Sequence, residues 1–186
     1  MKRESPSSPR AAEASGKHYY QFYKGRDDLF RMVIPFLLRG LENDEACLWV
    51  VSRSVGVLEA IEAFQKTCNP NSYLESGQLV ILAAERWYLE GGRFSVRKVL
   101  ERMKKFVVDK ERMGFTAFRG VGDLGWLKAA EHDWAEFQSY EEKAHQWIHK
   151  LPMVAICAYP LNHCSITQTK DILDCHDHVF LYHPLA

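Results

Sequence analysis

The chain has no excess charge of either sign: 24 Lys and Arg balance 24 Asp and Glu across 186 residues. Without a net field nothing draws it over long range to a nucleic-acid backbone or an anionic membrane, and neither is expected as a direct partner. Basic pairs such as Lys104-Lys105 are soon followed by acidic or apolar neighbours. No apolar run approaches the ~20 residues of a bilayer-spanning helix. The opening stretch, residues 1–16, is rich in Ser, Pro and Ala but lacks the apolar segment of a secretory signal. It reads as a disordered leader ahead of a single domain over residues 17–186. Cysteine is sparse and odd in number: Cys47, Cys68, Cys157, Cys164 and Cys175. Five thiols without a signal peptide imply reduced cysteines and a cytoplasmic location.

The usual catalytic strings are missing too. A phosphate-gripping loop needs G-x-x-x-x-G-K-[ST] between the first strand and helix. The corresponding turn, Tyr23-Lys24-Gly25-Arg26-Asp27-Asp28, has one glycine and puts two carboxylates at a helix N-terminus, which would repel phosphate. A strand predicted over Phe115 to Phe118 runs into Arg119, so no strand is expected to end in an Asp placed for magnesium. There is no G-x-S-x-G elbow and no H-E-x-x-H helix. Gly120-Val121-Gly122-Asp123-Leu124-Gly125 matches the dinucleotide string, but past mid-chain, and the acidic residues about 20 positions on lie inside a predicted helix. A hydrolase built on Cys164 or His176 is the weakest option, because nothing in a suitable position activates a nucleophile. The chain is not expected to be an enzyme.

What is present is a repeated strand–helix alternation. His18 to Tyr23 has strand character, and Asp27-Asp28 opens a helix striped by Leu29, Val33, Leu37 and Leu41, with Pro35 expected to kink or shorten it. Ala46 to Ser52 reads as a strand covered on both faces. Ser54 is expected to cap a helix, Asn69-Pro70-Asn71 to break the chain, and Leu79 to Ala83 to form a buried strand. Glu85 to Phe94 is read as a loop. Ser95 opens a long helix that ends at Gly114. Gly120 to Trp126 is read as a glycine-rich loop, followed by a helix from about Ala129 to His149. Met153 to Tyr159 is the clearest strand, Ser165 caps a short helix, and Val179 to Tyr182 is a last strand. The alternation argues for a three-layer α/β fold, a mainly parallel sheet with helices on both faces.

Such sheets bind ligands beyond the carboxyl ends of their strands. The loops there carry Trp87, Tyr88 and Trp126, which can wall an apolar pocket. Glu141 shares a helix face with Phe137 and Ala144, so it needs a buried partner, for which Arg119 and a histidine are the candidates. The C-terminal quarter concentrates metal-ligand types: Cys157, His163, Cys164, Cys175, His176 and His178. Their spacing fits no standard zinc pattern. A metal ion, a haem or a redox-active thiol pair remains the alternative to a ligand pocket with no cofactor.

Several strings resemble one family. They are His18-x-x-Gln21-Phe22-Tyr23, Gly40-Leu41-Glu42-Asn43 leading into Cys47-Leu48-Trp49-Val50, and Trp87-Tyr88-Leu89-Glu90-Gly91-Gly92-Arg93-Phe94. Arg119-x-x-Gly122-Asp123-x-x-Trp126, Tyr140-Glu141-Glu142, Cys157-x-Tyr159 and a late His176 follow. Together they are similar to the MEDS domain, the sensory domain of methanogens, methylotrophs and the DcmR regulator. The resemblance covers about Lys17 to Tyr182. It implies a RecA/KaiC-like fold without Walker motifs, and sensing of a simple hydrocarbon-derived ligand in prokaryotic signalling. The family is usually fused to kinase, regulator or DNA-binding modules. This chain is expected to signal through a separate kinase or transcription regulator, and a homodimer is expected by analogy with other stand-alone sensors. The expected ligand-binding residues are His18, Tyr23, Trp87, Tyr88, Arg119, Asp123, Trp126, Glu141 and Tyr159. The Gly91-Gly92 segment is the expected hinge.

Overall fold

The computed structural model describes residues 16–127 and 134–180. In chain order the elements are β1 (Lys17–Tyr23), α1 (Arg26–Glu42), β2 (Ala46–Val51), α2 (Val57–Gln65), α3 (Asn71–Glu75), β3 (Leu79–Ala83), α4 (Ala84–Trp87), β4 (Leu89–Glu90), β5 (Arg93–Phe94), α5 (Val96–Arg112), β6 (Phe118–Asp123), α6 (Trp134–Ile148), β7 (Met153–Pro160), α7 (Ile166–Asp174) and β8 (His178–Val179). Among the described residues six strands form one sheet in the order β3-β2-β6-β7-β1-β8, with every neighbouring pair parallel. The links from β1 to β2 to β3 travel one way along the sheet, and those from β3 to β6 to β7 to β8 travel back. Right-handed crossovers then put α1 and α2 on one face and α5, α6 and α7 on the other. Two separate apolar cores match this division. One joins Leu29, Val33, Leu37 and Phe64 to Trp49 and Val121. The other joins Val99, Met103, Phe106, Phe137 and Ala144 to Leu48, Phe118 and Ala155. The three-layer α/β expectation holds.

Strands β2 and β7 are buried along their whole length, as their unbroken apolar runs require. β3 is an edge strand and only half-buried beyond Leu79. Pro35 does not shorten α1, which runs unbroken to Glu42. Its neighbours Val33, Ile34, Phe36 and Leu37 are buried, and their packing outweighs one missing backbone hydrogen bond. Ser54 is not a cap: α2 starts later, behind Gly56 at φ 79°, and Ser54 instead bonds the Ser52 hydroxyl at 2.9 Å. Ser165 does cap α7, in a reciprocal box with Gln168. The helix expected from Ala129 begins within residues that lie outside the described ones, as does the end of the strand expected to reach Tyr182.

Two loop expectations are corrected. Glu85 to Phe94 contains the short helix α4 and an antiparallel hairpin, β4 with β5, joined by Gly91 and Gly92 at φ 58° and 79°. Positive φ at both central residues is the tight hairpin turn that two glycines favour. The strand expected at Phe115 starts three residues later, so Gly120 to Asp123 is its body and not a loop. Its glycines serve packing: a Cβ at Gly122 would collide with the Tyr88 hydroxyl, and one at Gly120 would meet Met153 Cε at 3.2 Å. A pleated strand cannot fold its amides around a phosphate, so the dinucleotide string carries no such role here.

Candidate functional site

The carboxyl rim of the sheet is tied together by one side chain. Asp123 ends β6, five residues beyond the strand end expected at Phe118. Its Oδ1 accepts from the Tyr23 hydroxyl at 2.6 Å and from the Gly125 amide at 2.9 Å. Its Oδ2 accepts from the Ser52 amide at 2.9 Å and from the Ser52 hydroxyl. The carboxylate is fully buried. It therefore ties the ends of β1, β2 and β6, and every favourable lone-pair direction is used by a protein donor. A P-loop enzyme uses an acidic group of this kind to hold magnesium; this one has no direction left to offer. Burial, and then the charge of Asp123, push the Tyr23 hydroxyl well above its usual range. At the α1 entrance the Lys24 amide donates to Asp28 Oδ2 at 3.0 Å, so a side-chain carboxylate already occupies the helix start.

Above this knot lies an open cleft of about 670 Å³, bordered by Lys24, Arg26, Arg53, Trp126 and His163. Its basic residues are exposed. Of the nine expected ligand residues, only Tyr23 and Trp126 line it, with Asp123 beneath.

Arg119 is elsewhere. It lies four residues before Asp123 on the same strand face, about 13 Å away at ~3.3 Å per residue. Both of its forks are committed: Nε and Nη2 donate to Glu45 at 2.6 and 3.0 Å, and Nη1 donates to the Phe36 carbonyl at 3.1 Å. Its guanidinium stacks over Phe36 at 4.6 Å. It is a structural brace between β6 and α1, not a ligand contact and not the partner of Glu141. Trp87 and Tyr88 are also turned inward. Trp87 meets Phe106 edge-on, and Tyr88 stacks on Trp126 with centroids 4.8 Å apart.

The remaining expected residues converge inside the molecule, on the face of the sheet covered by α6. His18 from β1, Glu141 from α6, Cys157 from β7 and His176 just after α7 meet there, and all four are buried. His18 Nε2 lies 3.3 Å from Cys157 Sγ and 3.5 Å from Glu141 Oε2. His176 Nε2 lies 3.6 Å from Glu141 Oε2, and Cys157 Sγ lies 3.5 Å from it. The partner expected for Glu141 is therefore a histidine pair. His176 Nδ1 donates to the Ile172 carbonyl at 2.7 Å, which turns a bare Nε2 toward the cluster. Burial pushes the Glu141 carboxyl up to about 8, opposed by hydrogen bonding from Cys157 and Tyr159. Burial pulls His176 down to about 4 and His18 well below the usual imidazole value, the latter helped by His176 and His145. The Cys157 thiol is raised by burial and by Glu141. Tyr159 is buried beside Glu141.

Of the expected metal-ligand types, Cys157 and His176 are in this cluster, and Cys175 adjoins it, with Sγ 3.2 Å from His176 Nδ1. His163 is on the rim cleft, and Cys164 Sγ is 3.8 Å from the Pro160 carbonyl, so neither belongs to the cluster. His178 is exposed, and the six ligand-type residues of the C-terminal quarter do not form one site.

Next to the cluster is a small cavity of about 40 Å³ between the sheet and α5–α6. His18, Cys157, Tyr88 and Tyr140 supply its polar edge, and Met103, Phe106 and Met153 its apolar wall. Gly120 and Gly122 both border it; the Tyr88 hydroxyl fills the space in front of Gly122, and only Met153 Cε stands in front of Gly120.

The family model for the MEDS domain (MEthanogen/methylotroph, DcmR Sensory domain) matches residues 17–177. The chain is 22% identical over 156 residues to the transcriptional repressor DcmR of Methylorubrum extorquens, covering 82% of this chain and 55% of that protein. It thus spans about half the length of this curated relative. The flagellar accessory protein FlaH from Methanocaldococcus jannaschii has a similar structure, with TM-score 0.52 and 15% identity over 87% of this chain and 69% of that one. That likeness concerns the fold alone and agrees with a RecA/KaiC-like sheet. Among the described residues no helix is long and apolar enough to cross a membrane. With the match running from β1 to the end of the buried cluster, this chain belongs to the MEDS family of sensory domains.

Proposed function

We propose that this chain detects a simple organic molecule of a few heavy atoms in the cavity beneath β6 and relays its presence to a kinase or transcription regulator, without turning the ligand over. The observation that carries the reading is the cavity itself. At about 40 Å³ it has room for roughly three water-sized groups, and its largely apolar wall suits a guest with an apolar end. The buried hydroxyls of Tyr88 and Tyr140 would orient the polar end of the guest. The family supports a sensory role, and a repressor among the relatives supports a regulatory output. The sealed state of Asp123 supports the absence of nucleotide hydrolysis. Filling the cavity tightens α5 and α6 on the sheet. The β4–β5 hairpin precedes α5 and is the segment in which a shift would reach a partner.

A thermal-shift and calorimetric screen of small alcohols, methylamines and halocarbons tests this reading. A hit should raise the unfolding temperature of the wild type. Gly120→Ala should remove the effect, because its methyl enters the cavity and meets only the flexible end of Met153. A screen with no hit, or a hit abolished by Trp126→Ala at the rim and kept by Gly120→Ala, overturns it.

A further inference from the structure

The cluster of His18, Glu141, Cys157 and His176 does more than fill a core. Four donors of three types come from four separate segments of the chain, and one ligand atom from each lies within 4.8 Å of the others. With metal–ligand bonds of ~2.0–2.3 Å, the edges of a tetrahedral zinc site are roughly 3.3–3.6 Å long. The four separations given above, between His18 Nε2 and Cys157 Sγ, His18 Nε2 and Glu141 Oε2, Cys157 Sγ and Glu141 Oε2, and His176 Nε2 and Glu141 Oε2, are 3.3, 3.5, 3.5 and 3.6 Å. Hydrogen bonding alone does not account for the arrangement: His176 Nε2 is buried and has no hydrogen-bond partner. The bond from its Nδ1 to the Ile172 carbonyl is the outer support that metal-bound histidines use to fix tautomer and ring orientation.

We propose that His18, Glu141, Cys157 and His176 form a closed four-coordinate site for a divalent transition ion of the zinc class. Charge closes on binding. The Cys157 thiol and the Glu141 carboxylic acid each release a proton, and the two anions formed neutralise the ion, while both histidines bind as neutral imidazoles. The mixed nitrogen, sulfur and oxygen set suits zinc and does not suit magnesium or calcium. A macrocycle is excluded, because the four donors converge on a point. With four protein ligands no position remains for a reacting water, so the ion holds β1, β7, α6 and the α7–β8 turn together. A row of imidazoles leads from the cluster toward the surface. His149 is 3.0 Å from Asp177 at the exterior, its ring is 4.4 Å from that of His145, and His145 is 5.7 Å from His18. This site stands whether or not the neighbouring cavity takes an organic guest, because its readout is metal content.

The test uses the full chain, purified under reducing conditions without an affinity tag that binds metal. Elemental analysis should find about one zinc per chain. After chelator treatment, cobalt(II) should titrate to one equivalent, giving visible bands of tetrahedral intensity and a thiolate-to-metal charge-transfer band, and zinc should displace it. Cys157→Ser should abolish the charge-transfer band. Glu141→Gln, which replaces a group already neutral in the metal-free protein, should fold normally and lose more than tenfold in cobalt affinity. Cobalt bound without the thiolate band, a band that survives Cys157→Ser, unchanged affinity in Glu141→Gln, or binding lost in His149→Ala but kept in Cys157→Ser would each overturn the assignment. The last result would place the ion at the surface group of His145, His149 and Asp177.

Discussion

Replacing Asp123 by Asn separates a structural knot from a magnesium site. In the wild type the carboxylate accepts four hydrogen bonds, from Tyr23, Gly125 and both Ser52 donors. The amide of Asn keeps one oxygen and turns an N–H₂ group toward donors. The least costly orientation places that group by Tyr23, whose hydroxyl can rotate to accept, and leaves the Gly125 amide unpaired. One charge-assisted bond is then lost, at ~1.5–3 kcal/mol, and one partly buried donor is stranded, at the low end of ~1–3 kcal/mol, so the expected loss is about 3 kcal/mol. At ~2–4 °C per kcal/mol for a chain of this size, the unfolding temperature should fall by about 10 °C. Tyr23→Phe removes a single donor and should cost about half as much. Urea unfolding followed by circular dichroism, with and without magnesium-ATP, measures both. If Asp123→Asn stays within 0.5 kcal/mol of wild type, or if magnesium-ATP stabilises the wild type and not the variant, the carboxylate serves a metal, and the sealed-rim argument fails.

Arg119→Ala strands Glu45 in the interior and should cost ~3–5 kcal/mol, whereas Arg119→Met with Glu45→Leu should recover most of it; denaturant unfolding of the single and double variants checks this. Ser165→Ala opens the α7 capping box and should lower stability by ~1 kcal/mol, read by the same assay. Chelator-treated protein should show a pH signature. Glu141, raised to about 8 from 4.5, holds a proton in the folded state that the unfolded chain has released. Its contribution is complete below pH 4.5 and lost as pH rises through 8. His176, lowered to about 4 from 6.5, acts oppositely but only below pH 6.5. Between pH 6.5 and 8 the carboxyl acts alone, so stability should decline by up to ~1.4 kcal/mol per pH unit. Melting curves across that window test this, and a flat or rising profile would show that Glu141 is not protonated in the metal-free fold.

Periodicity made the layers of this fold legible because it reports burial. The unbroken apolar runs at Ala46 and Met153 became fully covered strands, and the striped helices took the faces that right-handed crossovers assign. Periodicity failed where glycine has two meanings. In Gly120-Val121-Gly122 it reads as a loop, yet the residues are a central strand whose missing side chains make room for Tyr88 and Met153. That misreading moved the strand end by several residues. It hid Asp123 and placed Arg119 at the rim, when Arg119 in fact braces the strand's other end against α1.

The candidate site was legible in its members and not in its grouping. Spacing rules find metal sites whose donors sit on one or two local segments, as in paired cysteines or histidines one helical turn apart. Here the donors are residues 18, 141, 157 and 176, which become neighbours only because β1 pairs in parallel with β7 and β8, and α6 lies across them. The C-terminal quarter attracted notice by its density of cysteine and histidine, but density along the chain brought in His163 and Cys164 and left out His18. The residue that pointed inward most clearly was Glu141, an acid on an apolar helix face. Its requirement for a buried partner was correct, and the partner had to come from the first strand, 123 positions earlier. An isolated carboxyl on an apolar stripe is therefore a better guide to a site of this kind than any run of ligand-type residues, because burial without a neighbour in sequence forces a neighbour in space.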